Sequence, residues 1–167
     1  MILCPTRELT SQVAREIRKL GRRLEGLQVL TLSGGEAGRA QRESLENGVH
    51  LIVGTPGRVN EMLGRKTLNL SQITSLVMDE ADKMLEMGFE DEINAIIASL
   101  PQERQTIFFS ATFPETILGL SQRFQKNPVK VMVDETPENR PAIEQFAYES
   151  LPEEKIQTLM RILQQHP

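Results

Sequence analysis

A single cysteine, Cys4, stands in 167 residues, so no internal disulfide can form, which fits a reducing compartment. Only two histidines occur, far apart and away from Cys4, and no transition-metal site is legible. No apolar run approaches the length of a membrane span, and Met1-Ile2-Leu3 is too short for a signal peptide. The expected location is therefore the cytoplasm, with no membrane partner. Internal repeats and low-complexity tracts are absent. So is the glycine-rich lysine loop that cradles phosphates: in Gly64-Arg65-Lys66-Thr67 an arginine separates glycine from lysine, and Val59 stands where the loop's first glycine belongs. What is present suits one soluble globular domain, with 25% charged and 39% apolar residues and length enough to bury a real core.

The net charge of −4 is unevenly spread. Residues 1–66 hold 11 Lys/Arg against 7 Asp/Glu, and residues 67–167 hold 8 against 16. A basic first part is one footprint of a polyanion partner. A solvated helix face explains it equally simply, because Arg15, Arg18, Lys19, Arg22 and Arg23 fall in one predicted helix.

Apolar strands alternate with amphipathic helices along the chain. Strands are expected at Ile2–Pro5, Val29–Leu32, His50–Gly54, Leu76–Met78, Thr106–Phe109 and Val129–Val133. Helices are expected at about Arg7–Leu24, with Val13, Ile17, Leu20 and Leu24 on one face, then Arg39–Leu45, Pro56–Leu63, Glu90–Leu100 and Pro114–Gln125. This alternation implies an α/β fold, a doubly wound parallel sheet with helices on both faces. Residues 1–134 form that domain. The polar, proline-bearing stretch 135–142 reads as a linker. Beyond it, 143–167 offer one strand (Ile143–Tyr148) and one helix (Glu153–Gln164), too little for a core of their own.

Threonines mark three strand-to-helix junctions: Thr6 before Arg7, Thr55 before Pro56-Gly57-Arg58, and Thr112 before Phe113-Pro114-Glu115. Each can be a plain N-cap, and Thr112 with Glu115 has capping-box spacing. Together they lie at the carboxyl ends of parallel strands, where open α/β sheets bind ligands. Helix N-termini beside Arg7 and Arg58 suit phosphates, and several on one edge suit a nucleic-acid backbone.

Asp79 and Glu80 follow the apolar run Leu76-Val77-Met78. An acid at the end of a buried strand is costly unless a cation meets it. Mg²⁺ needs only one or two carboxylates plus phosphate oxygens, and Glu80 could orient or deprotonate an attacking water. Asp82 is placed to accept hydrogen bonds from the hydroxyls of Ser110 and Thr112, although negative charge at a helix N-terminus would account for it as well. Met84 and Met87 read as core filler, and His50 as a strand-edge residue.

Asp79-Glu80-Ala81-Asp82 is the signature of the DEAD-box RNA helicases, and the chain resembles that family throughout. Pro5-Thr6-Arg7-Glu8-Leu9, Gly34-Gly35, Thr55-Pro56-Gly57-Arg58 and Ser110-Ala111-Thr112 match its other first-domain motifs in order. The wording from Val77 to Phe89, with Arg104-Gln105-Thr106 leading into Ser110, is most similar to the bacterial, DbpA-like branch, which acts on ribosomal RNA during ribosome assembly.

The resemblance implies a RecA-like P-loop NTPase fold that uses ATP and Mg²⁺. Asp79 would hold the Mg²⁺ through water and Glu80 would position the hydrolytic water. Ser110 and Thr112, bonded to Asp82, would couple nucleotide state to closure of two domains. Thr6, Arg7, Gly34, Gly35, Thr55, Pro56, Gly57 and Arg58 would grip one RNA strand by its backbone, and the helix of Gly57 would bend that strand out of pairing.

It also implies that the chain runs from the second strand of the first RecA-like domain to the start of the second domain. The phosphate loop, the adenine-reading segment and the second domain with its arginine finger would then lie elsewhere. The expected consequence is a fragment that hydrolyses ATP poorly and does not unwind RNA unaided. A lost strand at the middle of the sheet would expose its neighbours' edges and favour marginal stability, dimers or aggregation. Three readings follow: part of an ATP-dependent RNA helicase, an inactive module that binds single-stranded RNA, or a fragment without function.

Overall fold

In the computed structural model, residues 1–35, 38–133 and 144–165 are described. The chain divides into two compact units, Met1–Val129 and Lys130–Pro167.

Five short strands form one all-parallel sheet: β1 (Ile2–Leu3), β2 (Val29–Leu32), β3 (Leu51–Gly54), β4 (Ser75–Met78) and β5 (Gln105–Phe108), in the order β2-β3-β1-β4-β5. The sheet is contiguous, so no gap opens inside it. Alternate residues of each strand serve opposite faces, as the period of two requires. Leu3, Leu30, Leu32, Ile52, Leu76 and Met78 enter the larger core, whereas Ile2, Cys4, Val29, Leu51 and Val53 pack on the other face. The doubly wound α/β architecture expected from the sequence is the one observed.

Helix α1 (Arg7–Leu20) covers the smaller face. Thr6 caps it, its side chain accepting the Leu9 N–H at 3.2 Å, with Glu8 in the first turn and Arg18 and Lys19 in the last. A 3₁₀ turn over Gly21–Arg23 follows. The buried stripe is Thr10 and Ala14, flanked by Val13 and Ile17. Leu20 and Leu24, expected on the same stripe, are 85% and 65% exposed: the helix ends at Leu20, and Leu24 follows the 3₁₀ turn and no longer shares its face.

On the larger face, α3 (Pro56–Gly64) and α5 (Glu90–Ala98) pack together through Val59, Met62, Ile93, Ile96 and Ile97. Helices α2 (Gly38–Glu46), α4 (Ala81–Glu86) and α6 (Glu115–Phe124) complete the unit. The short α4 was not anticipated from the sequence. The loop between α3 and β4 adds Leu68 and Leu70 to the core.

Side chains cap outward carbonyls on both outermost strands. β2 offers Gln28 O and Leu32 O to its neighbour β3, so Val29 O and Thr31 O face outward. Arg18 Nη2 donates to Val29 O at 2.6 Å and Gln41 Nε2 to Thr31 O at 3.3 Å. On β5, Gln105 and Phe109 bond toward β4, which turns Thr106 outward, and Gln125 Nε2 donates to Thr106 O at 2.9 Å.

Val129–Val133 does not form the expected strand: Val129, Val131, Met132 and Val133 are 63–91% exposed, and alternating valines do not by themselves make a strand. Residues 144–148 do not form the expected strand either, and Ile143 lies outside the described residues, as does the linker expected over 135–142. In the second unit, a 3₁₀ turn (Pro152–Glu154) leads into α7 (Lys155–Gln165), whose Ile156, Leu159, Met160 and Leu163 form an exposed apolar stripe.

Candidate functional site

Because all five strands are parallel, their carboxyl ends share one edge, and the segments that follow them lie there. Three of these segments line one cleft of about 510 Å³, which holds Thr6, Arg7, Gly34, Thr55, Gly57 and Arg58. Residues 50 positions apart in sequence thus meet at one surface.

Each position follows from local structure. Thr6 ends in an extended conformation and caps α1, which leaves Arg7 exposed at the helix start. The Arg7 guanidinium lies over Gly34 and Gly35, where added Cβ atoms would stand 2.9 Å from Nη2 and 2.7 Å from Nη1. Gly35 also takes φ +85°, a conformation that side-chain-bearing residues adopt at a cost. Thr55 occupies the N-cap position of α3 in extended form but makes no side-chain capping bond, and Pro56 is buried at the first turn. Gly57 faces the cleft, and a Cβ there would meet nothing within 4 Å.

Arg58 is held on two sides. Its Nε donates to Gln41 Oε1 at 2.9 Å and its Nη1 to Glu61 Oε2 at 2.6 Å, and its side chain is only 13% exposed. The bond from Arg58 holds the Glu61 carboxyl below its ordinary range. Gln41 is 3% exposed and also donates to Thr31 O and Ser33 O, each at 3.3 Å. Sequence reasoning missed Gln41, and the only available signal was its place four residues before Leu45 on the inward face of α2. Met87 and Phe89 line the cleft too. Met84 is fully buried as core filler, but Met87 is 48% exposed and contributes an apolar wall, a correction to its expected role.

The second cluster sits at the ends of β4 and β5. The Asp79 N–H continues the ladder to Leu3 O at 2.9 Å, and its Oδ1 accepts the Glu80 N–H at 3.1 Å. Burial pushes the Asp79 carboxyl above its ordinary value of 3.8; the bond from Glu80 N–H opposes this and the Glu80 charge adds to it. Burial first, then the Asp79 charge, pushes the neighbouring Cys4 thiol up to about 12, so Cys4 is no nucleophile. Glu80 adopts left-handed φ 51° and ψ 52°, which is strained for a residue with a Cβ, and Lys83 Nζ approaches its carboxylate at 3.4 Å.

Asp82 joins β4 to the loop after β5. Its Oδ2 accepts from Thr112 Oγ1 at 2.7 Å and Thr112 N–H at 2.9 Å. Ser110 takes part differently from the expectation: its hydroxyl accepts the Asp82 N–H at 3.3 Å and donates to Thr112 O at 2.6 Å. Burial works to raise the Asp82 carboxyl, but the two Thr112 bonds, one from Lys83 N–H and, least of them, the Ser110 hydroxyl outweigh it and hold it below 3.8. Thr112 is therefore no helix cap; α6 starts three residues later, at Glu115 behind Pro114, and the threonine is drawn to Asp82.

Among the described residues, no group of three or more His, Cys, Asp or Glu could hold a metal ion by itself. Two adjacent carboxylates, one of them poised uphill of its ordinary ionisation, fit a hydrated Mg²⁺ that takes its other ligands from water and phosphate oxygens.

The sequence profile of the DEAD/DEAH box helicase family matches residues 1–119. The chain belongs to that family. It is 47% identical over 166 residues to "ATP-dependent RNA helicase DbpA" of Escherichia coli K12, covering 99% of this chain and 36% of that protein. It is 43% identical to "ATP-dependent RNA helicase DeaD" of Buchnera aphidicola (strain Bp), covering 98% of this chain and 27% of that protein. The chain thus spans roughly a third of the helicases it matches. A DEAD box protein from Methanococcus jannaschii superposes with a TM-score of 0.70 at 36% identity, over 75% of this chain and 35% of that one. A hypothetical ATP-dependent RNA helicase from Sulfolobus tokodaii gives 0.70 at 38% identity, over 75% and 38%. The fold is that of these RecA-like helicase domains.

Proposed function

We propose that this chain is the part of an ATP-dependent RNA helicase that grips one RNA strand and carries the acidic half of the nucleotide site, acting in the cytoplasm on ribosomal RNA during ribosome assembly. The carrying observation is the single cleft that collects Thr6, Arg7, Gly34, Thr55, Gly57 and Arg58. Arg7 and Arg58 supply charge to phosphates, and the starts of α1 and α3 supply free N–H groups. Contacts of this kind hold the backbone and read little base sequence. Gly57, with open space where a side chain would go, lets the strand come close to α3.

On the nucleotide side, Asp79 would hold Mg²⁺ through water, together with the phosphates of ATP, with Glu80 beside it. The metal supplies neutralisation of charge on the phosphate oxygens. Glu80 orients the attacking water and can take its proton, on a backbone whose strain fixes the carboxylate's direction. The bonds from Thr112 to Asp82 tie the end of β4 to the loop after β5, so a change at Asp79–Glu80 is passed to residues 110–112 and from there toward a second RecA-like domain.

A second reading, an RNA-binding module without turnover, is favoured for these 167 residues alone. Two carboxylates with no glycine-lysine loop in the sequence hold the metal end of a nucleotide and not its phosphates.

The test is Mg²⁺-ATP hydrolysis with and without single-stranded RNA beside Glu80→Gln, together with RNA anisotropy beside Arg58→Ala. RNA binding that Arg58→Ala abolishes supports the strand-gripping role, and binding that survives it refutes that role. Turnover abolished by Glu80→Gln supports an active enzyme; turnover no higher than in that variant leaves the binding module.

A further inference from the structure

The cleft at the motif residues does not end at Arg7. It shares Arg7 and Glu8 with a neighbouring depression of about 600 Å³ along α1. That depression shares Ser11 and Arg15 with a third, also about 600 Å³, which reaches Arg18, Arg22 and Thr31 of β2. One shallow groove therefore runs from the strand-gripping cleft, along the side of α1, to the outer edge of the sheet.

Its floor is a helical stripe. Ser11, Arg15, Arg18 and Arg22 recur at intervals of four, three and four, which places them on one side of α1 and the turn that continues it. The stripe lies next to the buried one of Thr10, Ala14 and Ile17, so it sits in the angle between the helix and β2 rather than on the crest facing solvent.

The charges are arranged for an outside anion. Arg15 and Arg22 are exposed and, among the described residues, make no ion pair. Arg18 spends one N–H on Val29 O and is thereby held in place with others to spare. Of the two acids on α1 that line the groove, Glu16 is occupied by Lys19 at 2.6 Å and Glu8 stands beside Arg7 at the cleft end, away from Arg15, Arg18 and Arg22. A merely solvated helix face would intersperse its cations with partners and would not share a wall with the motif cleft.

We infer that this groove is a second RNA-binding segment, in which Arg15, Arg18 and Arg22 take the phosphates of the same single strand after it leaves the Arg7–Arg58 cleft. From Ser11 to Arg22 the helix rises about 16 Å, room for about three to five nucleotides of backbone. The inference rests on the strand-gripping role of the cleft. It adds that the footprint is longer than the motifs, and that the added part is sequence-independent and salt-sensitive.

The test uses the full 167-residue chain and fluorescein-labelled oligouridylates of about six and about twelve nucleotides, titrated at several salt concentrations. The variants are Arg15→Gln/Arg22→Gln and, as reference, Arg58→Ala. The wild type should bind the longer strand at least about tenfold more tightly. The double variant should lose that gain, lower the salt slope for the longer strand by about 1.4, and leave the shorter strand's affinity unchanged. Equal affinity of the two lengths, or a length gain that survives the double change, overturns the groove while leaving the cleft intact. A double variant that weakens both lengths equally also overturns it, since the effect would then not be local to the added footprint. Failure of the wild type to bind either strand overturns the cleft and the groove together. Displacement of the longer strand by poly-aspartate as effectively as by unlabelled RNA would make the groove a generic anion surface and overturn the RNA assignment.

Discussion

The Thr112 hydroxyl donates to Asp82 Oδ2 at 2.7 Å, and the Thr112 amide donates to the same oxygen at 2.9 Å, across thirty residues of sequence. One carboxylate oxygen therefore fastens the loop after β5 to the start of α4. The bonds favour the ionised acid, so its folded-state pKa lies below the unfolded value near 3.8. Their contribution to stability is full above that value and disappears as pH falls through the lower folded one. Thermal melts of the wild type and Asp82→Asn should converge as pH is lowered below 3.8 and separate at neutral pH, the variant being the less stable. A gap independent of pH would remove the carboxylate from this account.

Asp79 works with the opposite sign. Its folded pKa is raised, chiefly by burial, so the ionised acid costs stability that appears as pH rises from 3.8 through the folded value and persists above it. Asp79→Asn should melt at a higher temperature than the wild type at pH 7. It should also abolish any stabilisation that Mg²⁺-nucleotide gives the wild type. A variant that melts lower would show that the Asp79 charge is already compensated within the protein.

Gly57 separates folding from binding in the same manner. Space is open where its Cβ would go, and it lies in the first turn of α3, so Gly57→Ala should stabilise the fold by about 0.5 kcal/mol through the lower entropy of the unfolded chain. The added methyl projects into the cleft, so single-stranded RNA should bind several-fold more weakly. Denaturant melts and anisotropy on the same protein check both; unchanged RNA affinity would mean the strand keeps its distance from α3.

Backbone strain at Glu80 gives a comparison between two variants rather than with the wild type. Both Glu80→Ala and Glu80→Gly remove the carboxylate, but only glycine accepts φ 51° without cost. The glycine variant should be the more stable by about 1 kcal/mol, against the usual ordering of these two residues. Urea denaturation decides, and an alanine variant that equals or exceeds it would show that the junction relaxes freely.

Gln41 is a test of how Arg58 is held. Gln41→Leu removes the bonds to Thr31 O, Ser33 O and Arg58 Nε, and should cost about 2 kcal/mol of stability. At temperatures where the variant remains folded, RNA affinity should fall as well, because the guanidinium keeps Glu61 but loses its second anchor. Unaltered affinity would assign Gln41 to the fold alone.

Much of the site was legible because its residues follow strands, and strands announce themselves by short apolar runs. Leu76-Val77-Met78 ahead of Asp79, and Leu51–Gly54 ahead of Thr55, fix both the sheet and the edge where ligands gather. What failed was anything decided by a distant partner. Thr112 reads as a cap by spacing, yet a carboxylate thirty residues away takes it. Val129–Val133 alternates as a strand does, but pairing and not alternation makes a strand. Met87 and Met84 are indistinguishable by composition, and a turn at Gly88 with φ +82° leaves one outside and the other in. Gln41 carries no local mark of its hub role, because Thr31, Ser33 and Arg58, which it bonds, come from β2, the loop after it and α3.

The side chains of Arg18, Gln41 and Gln125 on the outward carbonyls of β2 and β5 also bear on how concentrated solutions behave. Fibrillar growth requires an incoming strand to dock along a bare ladder, one amide at a time. Here Val29 O, Thr31 O and Thr106 O are already engaged by tethered groups, at 2.6 to 3.3 Å, which must swing aside before a foreign backbone can replace them. The side chains thus act as competitive inhibitors of self-templating, supplied from α1, from α2 and from the end of α6.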